Sequence, residues 1–279
     1  MKKYSRVYVE LTNICNRSCS FCPGTERAAR IMSEDELSIV LAKLRGVTDY
    51  LYFHLMGEPL TNPALFDSIR LANAKGFKCA VTTNGTLLST RGEALIFAAP
   101  YKVNISLHSF EGDGEEDRRR YVESCCEFAR RSSAEGILTV LRLWNRGVEG
   151  DPCAECEKIV LEYFSDLVPV YSERGARLCD KLHIEYGDRF EWPDREARDF
   201  GERVFCHGLG DHFGILSDGR VVPCCLDRNG DMTLGNIFDE EIEDILSSER
   251  AVAIAEGFGK KEARENLCRR CAYARRFKL

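Results

Sequence analysis

Arg6-Val-Tyr-Val-Glu-Leu-Thr-Asn-Ile-Cys15-Asn-Arg-Ser-Cys19-Ser-Phe-Cys22-Pro23-Gly24 is the stretch that decides the fold. Its first half is rich in β-branched and aromatic residues and predicts a strand over Val7 to Leu11. Its second half is a C-x3-C-x2-C triplet on the loop that leaves this strand. Thiolate sulfurs suit iron–sulfur clusters or zinc. A structural zinc site needs four ligands, and no histidine or fourth cysteine lies nearby. A cubane cluster with one open iron therefore fits the triplet better, with zinc as the alternative.

Outward from this loop, strand-like runs alternate with helix-like ones to about Tyr186, the pattern of a parallel βα repeat. Further strands are predicted over Tyr50 to Leu55, Lys78 to Thr82, Lys102 to Leu107, Ile137 to Leu143 and Lys181 to Tyr186. Helix starts are readable between them: Ser33 with Glu36 forms a capping box, and Asn62-Pro63 and Asp151-Pro152 each set a cap before proline. Six βα units cannot close an eight-stranded barrel. The expected fold is therefore α/β, a partial (β/α)6 TIM-like barrel with its site at the strand C-terminal ends. Past Tyr186 the alternation breaks into Gly187-Asp-Arg-Phe-Glu-Trp-Pro-Asp194. A small second domain follows, with a hairpin of Phe213 to Leu216 and Arg220 to Val222 around Ser217-Asp218-Gly219, then one helix from about Glu240 to Glu256. The expected division is 1–190 and 191–279.

The chain of 279 residues is 44% hydrophobic and 30% charged, enough for one large α/β domain and an appendage. Its net charge of −6 and the lack of a basic stripe argue against nucleic-acid binding. No apolar stretch is long enough to span a bilayer, and Met1-Lys2-Lys3-Tyr4 leads into a strand without a signal region, which predicts a cytoplasmic protein with no membrane partner. Fourteen cysteines in such a chain argue for metal ligation rather than disulfides.

The triplet, placed after the first strand of a βα repeat and followed by Pro23-Gly24, resembles the radical S-adenosylmethionine (SAM) superfamily. The resemblance implies that Cys15, Cys19 and Cys22 hold a [4Fe–4S] cluster whose fourth iron chelates SAM, and that SAM is cleaved reductively to a 5′-deoxyadenosyl radical. Met56-Gly57-Glu58-Pro59 looks like the family's Gly-Gly-Glu-Pro motif, which accepts hydrogen bonds from the SAM ammonium. Met56 replaces its first glycine. The resemblance further implies SAM contacts from Phe21, Asn84 in Thr83-Asn84-Gly85, Ser106 and His108 in Ser106-Leu-His108-Ser109, and Arg142 and Asn145. For His108 a satisfied histidine in a capped turn is the alternative, and for Phe21 plain packing.

The tail holds Cys206, Pro223-Cys224-Cys225 and Cys268-Arg-Arg-Cys271. Four thiolates suit either zinc or iron. The arrangement resembles the SPASM and twitch domains of radical SAM enzymes, which implies a second, auxiliary [4Fe–4S] cluster on Cys206, Cys224, Cys268 and Cys271. Only eight residues follow Cys271, which implies the one-cluster type, similar to the butirosin-pathway aminocyclitol dehydrogenase. Cys225 is the alternative to Cys224. Cys153 and Cys156 read as helix-start thiols, and Cys79, Cys125, Cys126 and Cys179 as buried small apolar groups.

An auxiliary cluster with four cysteine ligands implies an electron acceptor and a net oxidation of a small polar metabolite. Modification of a ribosomal peptide, by crosslinking or epimerisation, is the second expectation. The third is a zinc-stabilised binding module without chemistry. The chain starts directly at its first strand, which slightly favours a small molecule over a peptide. The family's usual electron donor, a flavodoxin or ferredoxin, is implied as partner. Arg189, in the loop after the sixth strand, is expected in the substrate pocket, where a guanidinium holds an oxyanion; an exposed ion pair with nearby acids is the alternative.

Overall fold

The structure, a computed structural model, describes residues 2–111, 114–147 and 152–277. In chain order the regular elements are β1 (Arg6–Val9), α1 (Glu34–Lys43), β2 (Tyr50–Phe53), α2 (Leu65–Ala74), β3 (Lys78–Thr83), α3 (Leu88–Phe97), β4 (Lys102–Ser106), α4 (Glu115–Ala134), β5 (Leu138–Arg146) and α5 (Cys153–Tyr163). There follow β6 (Val170–Ser172), β7 (Gly175–Cys179), β8 (Leu182–Asp188), β9 (His212–Ile215), β10 (Arg220–Val222), β11 (Gly235–Asn236), α6 (Ile242–Ser247), α7 (Glu249–Gly259) and α8 (Asn266–Arg269). All six expected barrel strands are present, and the fold class is the expected α/β with parallel strands.

The chain forms two compact units, one of residues 1–78 with 190–279, the other of residues 79–189. In the first, β1 lies between β2 and β9 and is parallel to both, while β9, β10 and β11 form an antiparallel ribbon. Val7, Val9, Leu51, Phe53, Phe213 and Ile215 on these strands are buried, and each such side chain contributes roughly 1.5–3 kcal/mol by leaving water. The opposite face of β1 carries Tyr8 and Glu10, as the two-residue period of a strand requires.

In the second unit β3, β4, β5 and β8 run parallel, with α3, α4 and α5 packed in sequence beside them. An antiparallel hairpin of β6 and β7 precedes β8. The sequence reading missed this hairpin because all three residues of β6 are exposed and carry no apolar alternation. Its turn needs Gly175, whose φ is +148° and where a Cβ would collide with the Ile184 carbonyl.

Local signals hold in part. Ser33 and Glu36 form the capping box of α1, Ser33 Oγ accepting the Glu36 N–H at 3.2 Å and Glu36 Oε2 the Ser33 N–H at 2.8 Å. Asn62-Pro63 does not start α2, because Asn62 Oδ1 accepts the Ala64 N–H (2.8 Å) in a turn one step ahead of the helix. Asp151 lies outside the described residues. The single helix expected from Glu240 to Glu256 is two: Ser248, with extended ψ of 150°, ends α6, and its hydroxyl accepts the Ala251 N–H (3.3 Å) to start α7. Cys79, Cys125, Cys126, Cys153 and Cys156 are buried, but Cys179 is exposed, since the alternation of β7 turns Arg177 and Cys179 outward.

Candidate functional site

The first unit carries both sets of candidate cluster ligands. The chain leaves β1 at Glu10 and returns at Arg30, and polar bonds close the base of that excursion. Asn13 Nδ2 donates to Ala28 O (2.8 Å), Asn13 Oδ1 accepts the Arg30 N–H (2.8 Å), and Thr12 Oγ1 donates to Arg30 O (3.1 Å). Cys15, Cys19 and Cys22 ride on the loop so formed. Cys22 N–H donates to Cys19 O (3.0 Å), Cys15 and Cys22 are exposed, and Phe21 is half-buried. Exposed thiols on one short loop are what a cluster-binding triplet requires, and the loop fits that group.

The Met56-Gly57-Glu58-Pro59 turn packs on the start of this loop. Glu58 N–H donates to Ile14 O (2.9 Å), and Thr61 Oγ1 reaches the same carbonyl (3.3 Å). Gly57 has φ of +76°, and a Cβ there would meet Thr12 O, with Asn13 C at 2.8 Å and Ile14 O at 2.9 Å. The second glycine of the motif is thus required by space as well as by φ. Met56 and Glu58 are buried, and Glu58 Oε1 accepts the Leu60 N–H (3.0 Å).

The auxiliary thiols of Cys206, Cys224, Cys268 and Cys271 come together in the same unit. Burial pushes the Cys224 thiol well above the ordinary cysteine range, and repulsion from Cys225, Cys206, Cys268 and Cys271 adds to it. Cys268 is raised in the same way by burial and then by Cys206 and Cys271. Burial pushes Cys271 up to about 11 against the amides of Ala274 and Tyr273, which bond its sulfur. Cys206 Sγ accepts the Gly208 N–H at 3.4 Å. Backbone N–H groups aimed at sulfur suit a thiolate cluster, and neutral buried thiols must release protons when metal binds. Among the described residues no three His, Cys, Asp or Glu side chains are gathered as a preformed single-ion cage. The fit to a cluster rests instead on this proximity of soft donors.

Cys225 stands in the same field, raising Cys224 and itself raised by Cys206, but its packing differs. It packs against the buried group of Tyr8, Leu55, Leu216 and Val222, and after burial its strongest influence is a hydrogen bond with Tyr8.

In the second unit the remaining candidates lie at the C-terminal ends of β3, β4, β5 and β8. Asn84 Oδ1 accepts from Thr86 N (3.0 Å) and Thr86 Oγ1 (2.7 Å), while its carbonyl accepts from Tyr121 Oη (2.7 Å) and Ser109 Oγ (3.1 Å). Tyr121 Oη also reaches Ser106 O (3.3 Å), so this buried phenol, held neutral by burial, ties the rim of β3 to that of β4. His108 is buried. Its Nδ1 accepts the Trp144 N–H (3.3 Å) in the tautomer protonated on Nε2, and donates to Arg142 O (3.2 Å) in the other. The Arg142 guanidinium lies 4.5 Å over the Trp144 ring, with Glu185 3.5 Å from its Nε. Asn145 is half-buried on β5, and Arg189 is exposed directly after β8.

The sequence reading missed Tyr121 and also Glu10, whose buried carboxylate accepts from the Arg27 guanidinium. Glu10 had a signal, a carboxylate within an otherwise apolar strand run; Tyr121 had none, because one tyrosine on a long helix reveals no partner.

The comparisons with known proteins agree with this geometry. Residues 9–146 match the radical SAM superfamily model, and residues 206–272 match that of the SPASM iron–sulfur cluster-binding domain. A probable GTP 3',8-cyclase from Methanocella arvoryzae is 32% identical, covering 94% of this chain and 94% of that protein. A tungsten-containing aldehyde ferredoxin oxidoreductase cofactor-modifying protein from Pyrococcus furiosus is 31% identical, over 88% of this chain and 81% of its own. The crystal structure of BtrN in complex with AdoMet and 2-DOIA superposes with a TM-score of 0.61 at 18% identity, covering 97% of this chain and 93% of that one, which shows a shared fold. Two domains of these kinds carry SAM and two iron–sulfur clusters, and a zinc module without chemistry is set aside. The chain belongs to the radical SAM superfamily and is a radical SAM enzyme with a C-terminal SPASM domain.

Proposed function

We propose that this enzyme performs a net two-electron oxidation of a small polar metabolite. The observation that carries the reading is the gathering of Cys206, Cys224, Cys268 and Cys271 in one another's field. Four protein thiols suffice for every iron of one cubane, which leaves no iron for substrate and favours an electron-accepting role. When bound, SAM and its cluster supply a hydrogen-abstracting radical and the auxiliary cluster an acceptor for the second electron.

The residues then divide as follows. Cys15, Cys19 and Cys22 ligate the SAM-cleaving cluster, and Cys224 rather than Cys225 completes the auxiliary set. Met56, Gly57, Glu58, Phe21, Asn84, Ser106, His108, Arg142 and Asn145 are the proposed SAM contacts. Arg189 holds the oxyanion that forms as a substrate hydroxyl loses its proton. Residues 1–190 make the SAM-cleaving region and 191–279 the auxiliary one. A flavodoxin or ferredoxin in the cytoplasm supplies the first electron.

The test is anaerobic turnover of reconstituted enzyme with candidate polyols and amino alcohols. One two-electron-oxidised product per 5′-deoxyadenosine is expected, and a redox-neutral product would sink the reading. The long match to a probable GTP 3',8-cyclase favours a second reading, cyclisation of a purine nucleotide. Turnover of GTP to a cyclised product would establish it. Peptide modification predicts a mass change on a precursor peptide and none on small alcohols.

A further inference from the structure

Glu10 is a carboxylate with no exposure at all, at the end of the strand that launches the cluster loop. Its oxygens are saturated. Oε1 accepts from Arg27 Nη1 (2.8 Å), Ser217 N (3.1 Å) and Ser217 Oγ (2.9 Å), and Oε2 from Arg27 Nη2 (2.7 Å) and Met56 N (3.2 Å). Four separate segments thus meet on one side chain: β1, the returning limb of the cluster loop, the Met56-Gly57 turn and the β9–β10 hairpin of the auxiliary region. Arg27 is only 8% exposed and extends the connection, since its Nε donates to Arg228 O (2.8 Å). Arg228 in turn donates from Nη1 to Pro23 O (3.0 Å) and Gly24 O (3.3 Å), beside Cys22. Thr25 Oγ1 donates to the same Arg228 carbonyl (3.0 Å), and Asn229 Oδ1 accepts the Glu26 N–H (3.0 Å).

A buried ion pair is a poor stabiliser, because desolvation offsets its attraction, and an apolar pair of equal volume often does as well. What a bidentate guanidinium–carboxylate pair supplies is fixed direction. We infer that Glu10 and Arg27 are positioning residues through which the auxiliary region, by Ser217 and Arg228, sets the geometry of the SAM-cluster loop and the Met56 turn. SAM binding then depends on residues of the SPASM domain that ligate nothing. The inference rests on family membership and not on the oxidation reading, so it holds or fails whatever the substrate.

Ser217→Ala removes one hydroxyl bond and spares the ion pair. Arg228→Ala removes the hold on Pro23 and Gly24, and Arg27→Lys keeps the charge but loses the fork. Each is reconstituted anaerobically and compared with wild type for iron content, SAM dissociation constant, electron paramagnetic resonance of the reduced cluster with and without SAM, and 5′-deoxyadenosine formed without substrate. Full iron, a SAM dissociation constant raised roughly tenfold and an altered SAM-induced spectral change are expected, in line with the effect of residues that orient ligands from behind. Where Arg27→Lys fails to fold, the two milder variants decide. Wild-type SAM affinity and wild-type spectra in folded, fully loaded Ser217→Ala and Arg228→Ala would overturn the inference, even with a lowered melting temperature. Absence of SAM cleavage in the wild type would instead be a failure of the family assignment.

Discussion

At the scale of single residues, Gly57 and the three loop cysteines make the sharpest demands. Gly57→Ala forces an L side chain into the left-handed region, which costs about 1–2 kcal/mol by itself, and drives a Cβ into the backbone of residues 12–14. The loop must shift to relieve it. Reduced iron at the first cluster and lost SAM cleavage are expected, measured by iron assay and 5′-deoxyadenosine yield. Cys15→Ala, Cys19→Ala and Cys22→Ala should each abolish cleavage, because a triplet with one ligand missing cannot leave a single stable open iron; cleavage near the wild-type rate in any one would contradict the ligand assignment. The candidate ligand thiols stand out in the sequence because cluster chemistry favours set spacings along the chain. Glu10 and Tyr121 do not, since the partners of each lie far away in sequence and only folding brings them together.

At the scale of elements, local signals were read well where one side chain bonds its own backbone neighbourhood. The Ser33–Glu36 box formed as expected, and Ser33→Ala should lower stability by about 1 kcal/mol in thermal or denaturant unfolding. Burial alone would raise the Glu36 carboxyl, but the Ser33 amide and hydroxyl and the Arg30 guanidinium outweigh it and hold it below the usual carboxylate range. A group depressed in this way stabilises above its unfolded value and loses that contribution as pH falls through its folded value. The difference in melting temperature between wild type and Glu36→Ala should therefore shrink on acidification; a gap independent of pH would show that the charge contributes nothing. Reading failed where an element owes its place to tertiary pairing. β6 has no amphipathic stripe, and the break at Ser248 splits an apolar period that continues on both sides.

At the scale of the whole molecule, the division of labour between the two clusters is testable. Replacing Cys268 and Cys271 by alanine should reduce iron from about eight to about four per chain while some SAM cleavage persists. Because Ser217 and Arg228 brace the cluster loop, that cleavage should survive only in protein whose hairpin stays folded, which circular dichroism and proteolysis report. The overall α/β class followed from alternation along the chain, but the parallel seat of β9 on β1 did not, since nothing local in either strand encodes a partner so distant. That seat orders biogenesis. β1 is paired on one side by residues 212–215, so a ribosome must deliver most of the chain before the first strand is complete. The contiguous stretch of residues 79–189 faces no such wait. Non-local pairing is slow and leaves strand edges open meanwhile. On stalled nascent chains, protease protection of the middle segment should precede that of the amino terminus, and the reverse order would contradict this sequence of events.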